Sequence, residues 1–369
     1  MMKLQYRTLE GTNTKTRRLA YLTAILSLLR REGLSEGLLL KRLLQWSQER
    51  QPDLQNYWVQ TGEITSTRRN SAGARYLSLA TKGELIAQIA GMYRATRLGL
   101  VLFALTRHYG VRSNPFFLSP AEKIFYTYWI LTSDADIFLT VLERVARQPG
   151  ISLAQLQQMF QSDFLARLEL KSSSCKDEML RRQLFERRTR VADEWRKPHR
   201  YAEHLVPPRV NWMLDLDFLE PGNFRHHRYV LTTVGRQFLS ALPQLGNTEF
   251  HDVTDQWLAS GYWDIAAQTL SGIEPLTDWE QLDEKKQQAI MKPLLDETFE
   301  TFRDAFVPKA SLTQALLYLS IRVMLEHRVV TSPACLAQWL SSPRILNGRR
   351  YEVRLSPREN ESYLLATIV

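Results

Sequence analysis

Apolar positions recur at helical spacing near the start of the chain. Leu19, Leu22, Ile25, Leu26 and Leu29 share one face of Thr16–Arg31, which predicts an amphipathic helix. Gly33 interrupts it, and SEGLLLKRLLQWSQ predicts a second helix. The period then changes. Glu63–Thr67 carries a β-branched run, Asn70–Gly73 reads NSAG, and Tyr76–Leu79 is again apolar. Two apolar runs about a turn-forming tetrad predict a β-hairpin, with Thr81 capping a helix after it.

The same order returns downstream. Asp134–Gln148 is an amphipathic helix closed by Pro149 and Gly150, and Ser152 is placed to cap the next one. A short helix is expected from about Pro208, since proline suits a first helical turn. A hairpin with EPGN near its tip follows, then a closing helix after Thr232 or Thr233. A charge-rich insertion, residues 161–205, separates the second helix from the short one. RYLSLATKGELIAQI (Arg75–Ile89) and RYVLTTVGRQFLSAL (Arg228–Leu242) echo each other, as if one element were used twice. Gly83 and Gly235 then have a structural task, letting a helix approach the hairpin closely. Glu249–Phe306 is helical and acidic, with Trp257, Trp263 and Trp279. The last segment offers helices at SLTQALLYLSIRVMLEH and SPACLAQWL, then a strand, a polar turn and a strand whose YLLAT resembles YLSLAT.

These patterns predict a mainly α protein with small β-hairpins. The expected divisions are residues 1–110, residues 111–245 with the basic insertion 161–205, an acidic helical region 246–308, and a small α+β unit 309–369.

Composition sharpens the picture through charge. The 369 residues are 44% hydrophobic and 24% charged, which is ordinary for a globular chain, yet the net charge is +9. The charge is uneven: Glu249–Phe306 holds 13 acidic residues against Lys285, Lys286, Lys292 and Arg303, a net of −9, so the remainder carries +18. A basic body favours an anionic partner, nucleic acid before membrane. An acidic module favours a basic or apolar protein partner, or a second copy of the chain. Cys175 and Cys335 alone make neither a disulfide framework nor a zinc site. With no apolar segment of signal-peptide type at the start, a cytoplasmic setting is expected.

Helix, helix, helix, hairpin is the order of a winged helix, and RVNWMLDLDFLEPGNFRHHRYVLTTVGRQFL resembles that superfamily. Arg209, Trp212, Leu214 and Leu216 fall where such domains keep the recognition helix and its core contacts, and YVLTTVG where they close. The likeness covers Asp134–Leu242 without the insertion, is weaker over the first unit, and is faint at the C-terminus. It implies nucleic-acid contact, and the cations fit that implication. Arg68 and Arg69 fall at the first hairpin tip, and Arg225, His226, His227 and Arg228 at the second, where phosphates would be met. Arg209 and Asn211 are types that pair with base edges. Arg75, Arg187, Arg188 and Arg190 extend the basic surface.

No chemistry announces itself. Glu169 and Lys171 match the E-x-K of metal-dependent nucleases, with Asp163 or Asp136 as a further acid, but the surroundings read as helix. His199, His204, His226 and His227 lie among arginines that would repel a cation. Nucleotide-binding glycine motifs and a G-x-S-x-G elbow are missing, so no metal, cofactor or catalysis is expected. The expectation is a non-catalytic, duplex-DNA-binding subunit of a bacterial-type multiprotein machine for transcription control, chromosome or plasmid maintenance, or defence against foreign DNA. The alternatives are a protein-binding scaffold and a degenerate nuclease.

Overall fold

The computed structural model describes residues 5–9, 12–29, 32–55, 63–64, 72–110, 112–223, 228–246, 248–274, 276–356 and 362–369, with only the backbone at 55, 222 and 223. It is mainly helical with small sheets. Along the chain come α1 (Ala20–Leu29), β1 (Leu34–Ser35), α2 (Glu36–Glu49), α3 (Gln51–Gln55), α4 (Ala72–Lys82), β2 (Ile86–Ile89), β3 (Met92–Ala95), α5 (Arg97–Tyr109) and α6 (Pro120–Ser133). Next are α7 (Ala135–Arg147), β4 (Ile151–Ser152), α8 (Leu153–Ser174), α9 (Glu178–Thr189), a π-helical turn (Arg190–Glu194), α10 (Pro198–Asp215), β5 (Leu219–Asn223), β6 (Arg228–Leu231) and α11 (Thr233–Ala241). The rest is α12 (Asp255–Ala259), α13 (Gly261–Thr269), β7 (Thr277–Asp278), α14 (Glu284–Phe302), β8 (Lys309–Ser311), α15 (Leu312–His327), β9 (Val329–Val330), α16 (Pro333–Trp339), β10 (Arg344–Leu346), β11 (Arg349–Arg354) and β12 (Tyr363–Ile368).

Two compact units result: Met1–Ala95, Val111–Leu118 and Tyr126–Gln256 form one, and Thr96–Gly110, Ser119–Phe125 and Trp257–Val369 the other. The chain crosses between the units at 95/96, 110/111, 118/119, 125/126 and 256/257, so each unit is built from more than one of the expected divisions.

The predicted first hairpin is corrected. Tyr76–Leu79 lies inside helix α4, whose buried Ala72, Gly73, Tyr76, Leu77 and Ala80 follow a helical period. Between Ala72 and Ala80 there is no β-branched residue, and alanine and leucine favour the helix. Thr81 caps nothing, because its hydroxyl bonds the Leu77 carbonyl within the same helix. The hairpin is instead β2–β3, turning through Ala90 and Gly91 at φ +50° and +78°, the left-handed pair a two-residue turn needs. Thr96 is the cap, accepting from the Gly99 amide.

An internal repeat exists, but the RYLSLAT/RYVLTTV echo does not mark it: the first is helix α4, the second strand β6 and the cap after it. The real correspondence is topological. Helix–strand–helix, a later helix and a hairpin recur, with sheet orders β1-β3-β2 and β4-β6-β5. Leu34 pairs with Tyr93 as Ile151 pairs with Tyr229. Both later helices end alike: Glu84 and Asp217 are left-handed (φ +57° and +60°), and the amides of Leu85 and Phe218 bond the Ala80 and Met213 carbonyls, each at 2.8 Å. Thr96 and Thr232 then each cap a helix three residues before a glycine. A Cβ on Gly235 would stand 2.1 Å from the Phe218 carbonyl oxygen, so glycine there is a matter of close approach. Ser152 caps α8 as its position predicts, and the structure adds a capping box with Gln155.

Two further corrections concern the insertion. Helix α8 runs through its expected start without a break, and the helix expected from Pro208 begins at Pro198, with Pro207 and Pro208 inside it. Pro208 cannot bond the His204 carbonyl, and the Thr12 hydroxyl does so instead at 3.1 Å.

In the second unit the acidic helix α14 and the C-terminal elements share one core, in which Trp279, Leu295 and Phe299 pack with Leu316, Leu336 and Tyr351. The expected boundary at 308/309 is therefore absent. Arginines answer the acids: Arg322 pairs with Glu297 at 2.8 Å, Arg344 with Glu284 at 2.7 Å and Arg349 with Glu300 at 2.8 Å. The sheet order is β10-β11-β12-β8, so the predicted final strand–turn–strand (β11 and β12) gains a strand on each side.

Candidate nucleic-acid interface

Within the first unit, arginine takes two opposite roles. Asp163, Arg167 and Lys171 lie four residues apart on one face of α8, and α7 opposes them with Arg144, Glu143 and Asp136. The ion pairs are 2.6 Å (Arg144 Nε–Asp163), 2.6 Å (Arg167–Glu143) and 2.7 Å (Lys171–Asp136), and Lys171 also meets Asp252 at 3.0 Å. Burial raises the Asp252 carboxyl, and Lys171 opposes the rise. Burial pushes Glu143 up, but Arg167 and His251 outweigh it and leave the carboxyl below its ordinary value. Lys171 is thus a sealed structural cation. Glu169 lies outside this ladder, paired with Arg188 at 2.5 Å, so the E-x-K pair converges on no common site. Among the described residues, no group of three His, Cys, Asp or Glu side chains is placed to hold a metal ion.

Arg209 and Asn211 are corrected as base readers. Every residue of α10 from Leu205 to Asp215 is buried, and Arg209 is 0% exposed. Its guanidinium forks onto Asp134 with two bonds of 2.7 Å, donates to the Leu9 carbonyl at 2.9 Å and also bonds the Thr12 hydroxyl. Burial raises the Asp134 carboxyl against the pull of Arg209. Asn211 donates to the Pro207 carbonyl at 2.7 Å. Trp212 Nε1 bonds the Thr16 carbonyl at 2.9 Å, and Arg18 meets Asp215 at 3.2 Å, so the chain before and into α1 covers this part of the helix. No base edge can reach it.

The remaining expected residues are dispersed. Arg68, Arg69, Arg225, His226 and His227 lie outside the described residues. Arg75 is half-buried on α4, and Arg228 is exposed on β6. Arg187 is half-buried with its guanidinium 6.0 Å from the Trp195 ring centre, Arg188 is paired as above, and Arg190 is exposed. Of the tryptophans expected to bind a partner, Trp263 and Trp279 are core residues at 1% and 3% exposure, and Trp257 is half-buried. Trp263 and Trp279 do contribute to the wall of an open pocket of about 910 Å³ in the second unit, which Asp264, Asp278 and Glu280 also line. Burial, then Asp278, raises the Asp264 carboxyl.

What the sequence patterns did not single out, within the charge-rich insertion, lies at the link from the π-helical turn into the start of α10. Arg196, Lys197 and Arg200 are exposed and make no ion pair among the described residues. With Glu194, Tyr201 and His204 they line an open pocket of about 550 Å³. Tyr201 stacks on Trp195 with ring centres 4.6 Å apart and planes 7° apart, and Trp195 stacks in turn on Phe160 at 6.4 Å and 18°. Trp195 is buried, whereas Tyr201 is 44% exposed. The signal is legible as WRKPHRY, two aromatics with three cations between them, but their stacking requires the fold.

No family model, curated protein or solved structure matches this chain. No helix among the described residues is long and apolar enough to cross a membrane.

Proposed function

We propose that the protein is a non-catalytic nucleic-acid-binding subunit that grips the phosphate backbone of duplex DNA through Arg190, Arg196, Lys197 and Arg200. The observation that carries this reading is that these four cations are exposed and make no ion pair among the described residues, whereas Arg144, Arg167, Arg188 and Arg209 are neutralised by carboxylates. A surface cation that meets a phosphate displaces condensed counterions from the nucleic acid, so binding weakens as salt rises. The repeated strand order and shared helix ends support a tandem winged-helix architecture. In this reading the second recognition helix is spent on holding the first unit together, so binding is independent of sequence. The test is duplex affinity over a salt series. Replacing Arg196, Lys197 and Arg200 together with alanine should flatten the slope of log affinity against log salt by about two to three units. An unchanged slope overturns the assignment.

A second reading, a scaffold whose winged helices bind proteins, is favoured by the first hairpin. Its tip is apolar, Ile89-Ala90-Gly91-Met92, with Ile89 58% exposed. Absence of duplex binding even at low salt would favour the scaffold.

A further inference from the structure

We infer that Tyr201 is a stacking platform for an unpaired base, so that the basic pocket, besides gripping a duplex backbone, holds single-stranded nucleic acid or a frayed end more tightly still. The inference rests on the nucleic-acid reading above and deepens it. Phe164, Phe160, Trp195 and Tyr201 form a continuous ring column, with spacings of 5.5, 6.4 and 4.6 Å and interplanar angles of 11°, 18° and 7°. The column starts in the core, where Phe164 is 0% exposed, and ends at the surface with Tyr201 at 44%. Trp195 covers one face of the Tyr201 ring, and the ring's other face has no aromatic partner among the described residues. A tyrosine with one face packed and the rest wet presents the amphipathic surface that is enriched at interfaces.

The surroundings complete the chemistry. Arg196, Lys197 and Arg200 stand around the ring without carboxylate partners among the described residues; the one acid lining the pocket is Glu194. An aromatic face ringed by cations binds a base by its π-surface and the flanking phosphates by charge, without reading the base's identity. In a closed duplex every internal base face is already stacked, so the ring would gain nothing there. The column also fixes the platform: a ring stacked on Trp195, itself backed by Phe160, surrenders little freedom when a base settles on it.

The test is fluorescence anisotropy with the full chain and three labelled probes of equal length: oligo-dT, an abasic strand and a blunt duplex. Tyr201→Ala and Tyr201→Leu, the latter keeping bulk without a π-face, should each weaken oligo-dT binding about tenfold with the salt slope unchanged. Tyr201→Phe should bind as the parent does. The abasic strand should bind the parent about tenfold more weakly than oligo-dT, and neither the abasic strand nor the duplex should respond to Tyr201→Leu. Equal binding of abasic and oligo-dT strands, or a Tyr201→Leu effect shared by all three probes, overturns the platform while leaving phosphate binding in place. If the Arg196/Lys197/Arg200 triple alanine variant binds every probe as the parent does, the underlying nucleic-acid reading falls with it. Melting curves of each variant separate lost binding from lost folding.

Discussion

Arg200 and Arg209 occupy the same helix, nine residues apart by their numbering, and could hardly differ more. Arg209 is sealed, bidentate on a buried carboxylate, and covered by the chain that leads into α1. Arg200 is exposed and has no carboxylate partner among the described residues. About two and a half helical turns separate them, enough to point them to opposite sides. The lesson is that an arginine's identity says little about its work. A buried arginine must be paired at once because an isolated charge cannot be desolvated, and pairing removes it from the pool that can meet a ligand. In this unit the cations that can meet a polyanion are the ones the fold did not need.

That contrast can be broken by mutation, most severely at the sealed end. Arg209→Ala leaves Asp134 buried without its partner and should cost about 3–5 kcal/mol in urea unfolding. Arg209→Lys should recover only part of this, since an ammonium cannot fork onto both oxygens. A loss below about 1 kcal/mol would mean the pair is not closed as described.

Next in size is the helix that follows the second hairpin. Gly235→Ala drives a methyl into the Phe218 carbonyl and should destabilise by about 1–3 kcal/mol. Gly37→Ala, in open space on α2, should instead stabilise by about 0.5–1 kcal/mol. Similar losses at both sites would remove the close approach as the reason for Gly235.

The misread cap gives a smaller, sharper comparison. Thr96→Ala should cost about 1 kcal/mol, because the Gly99 amide loses its acceptor. Thr81→Ala should stay within about 0.5 kcal/mol, since its hydroxyl bonds only a helix carbonyl that already has a backbone partner. Reversed magnitudes would restore the hairpin at Glu63–Leu79.

The smallest effect belongs to the free end. Arg196→Ala, Lys197→Ala and Arg200→Ala should each change stability by less than about 0.5 kcal/mol while still altering the salt dependence of binding. A substantial stability loss at any of them would show that cation to be structural, as Arg209 is, and would erase the contrast.

Much of the local structure was legible in the sequence. Ser152 before α8, Thr232 before α11, and the apolar faces of α1 and α7 state their elements directly, because caps and periodicity act between residues three or four apart. The first hairpin was misplaced because RYLSLATKG mimics RYVLTTVGR in composition while differing in period. One buries a helical stripe, and the other pairs as a strand. The site was half legible. Basic residues after Lys171 were countable, but counting cannot separate Lys171, locked between Asp136 and Asp252, from Lys197, which meets no carboxylate among the described residues.

By itself, then, the sequence determined a mainly helical chain with small hairpins, its caps and turns, and a basic body carrying an acidic segment. Those are properties of composition and of neighbours along the chain. Only the tertiary structure decided which charges survive to the surface. Arg209 is silenced by Asp134 and the Leu9 carbonyl, and the acids of α14 are answered by Arg322, Arg344 and Arg349, partners that no local pattern brings together. It decided the ring column too, since Phe160 lies on α8, and the Trp195–Tyr201 stack forms only once the chain between α9 and α10 is folded. Charge neutralisation and ring stacking act through space at a few ångströms, and sequence order does not set those distances.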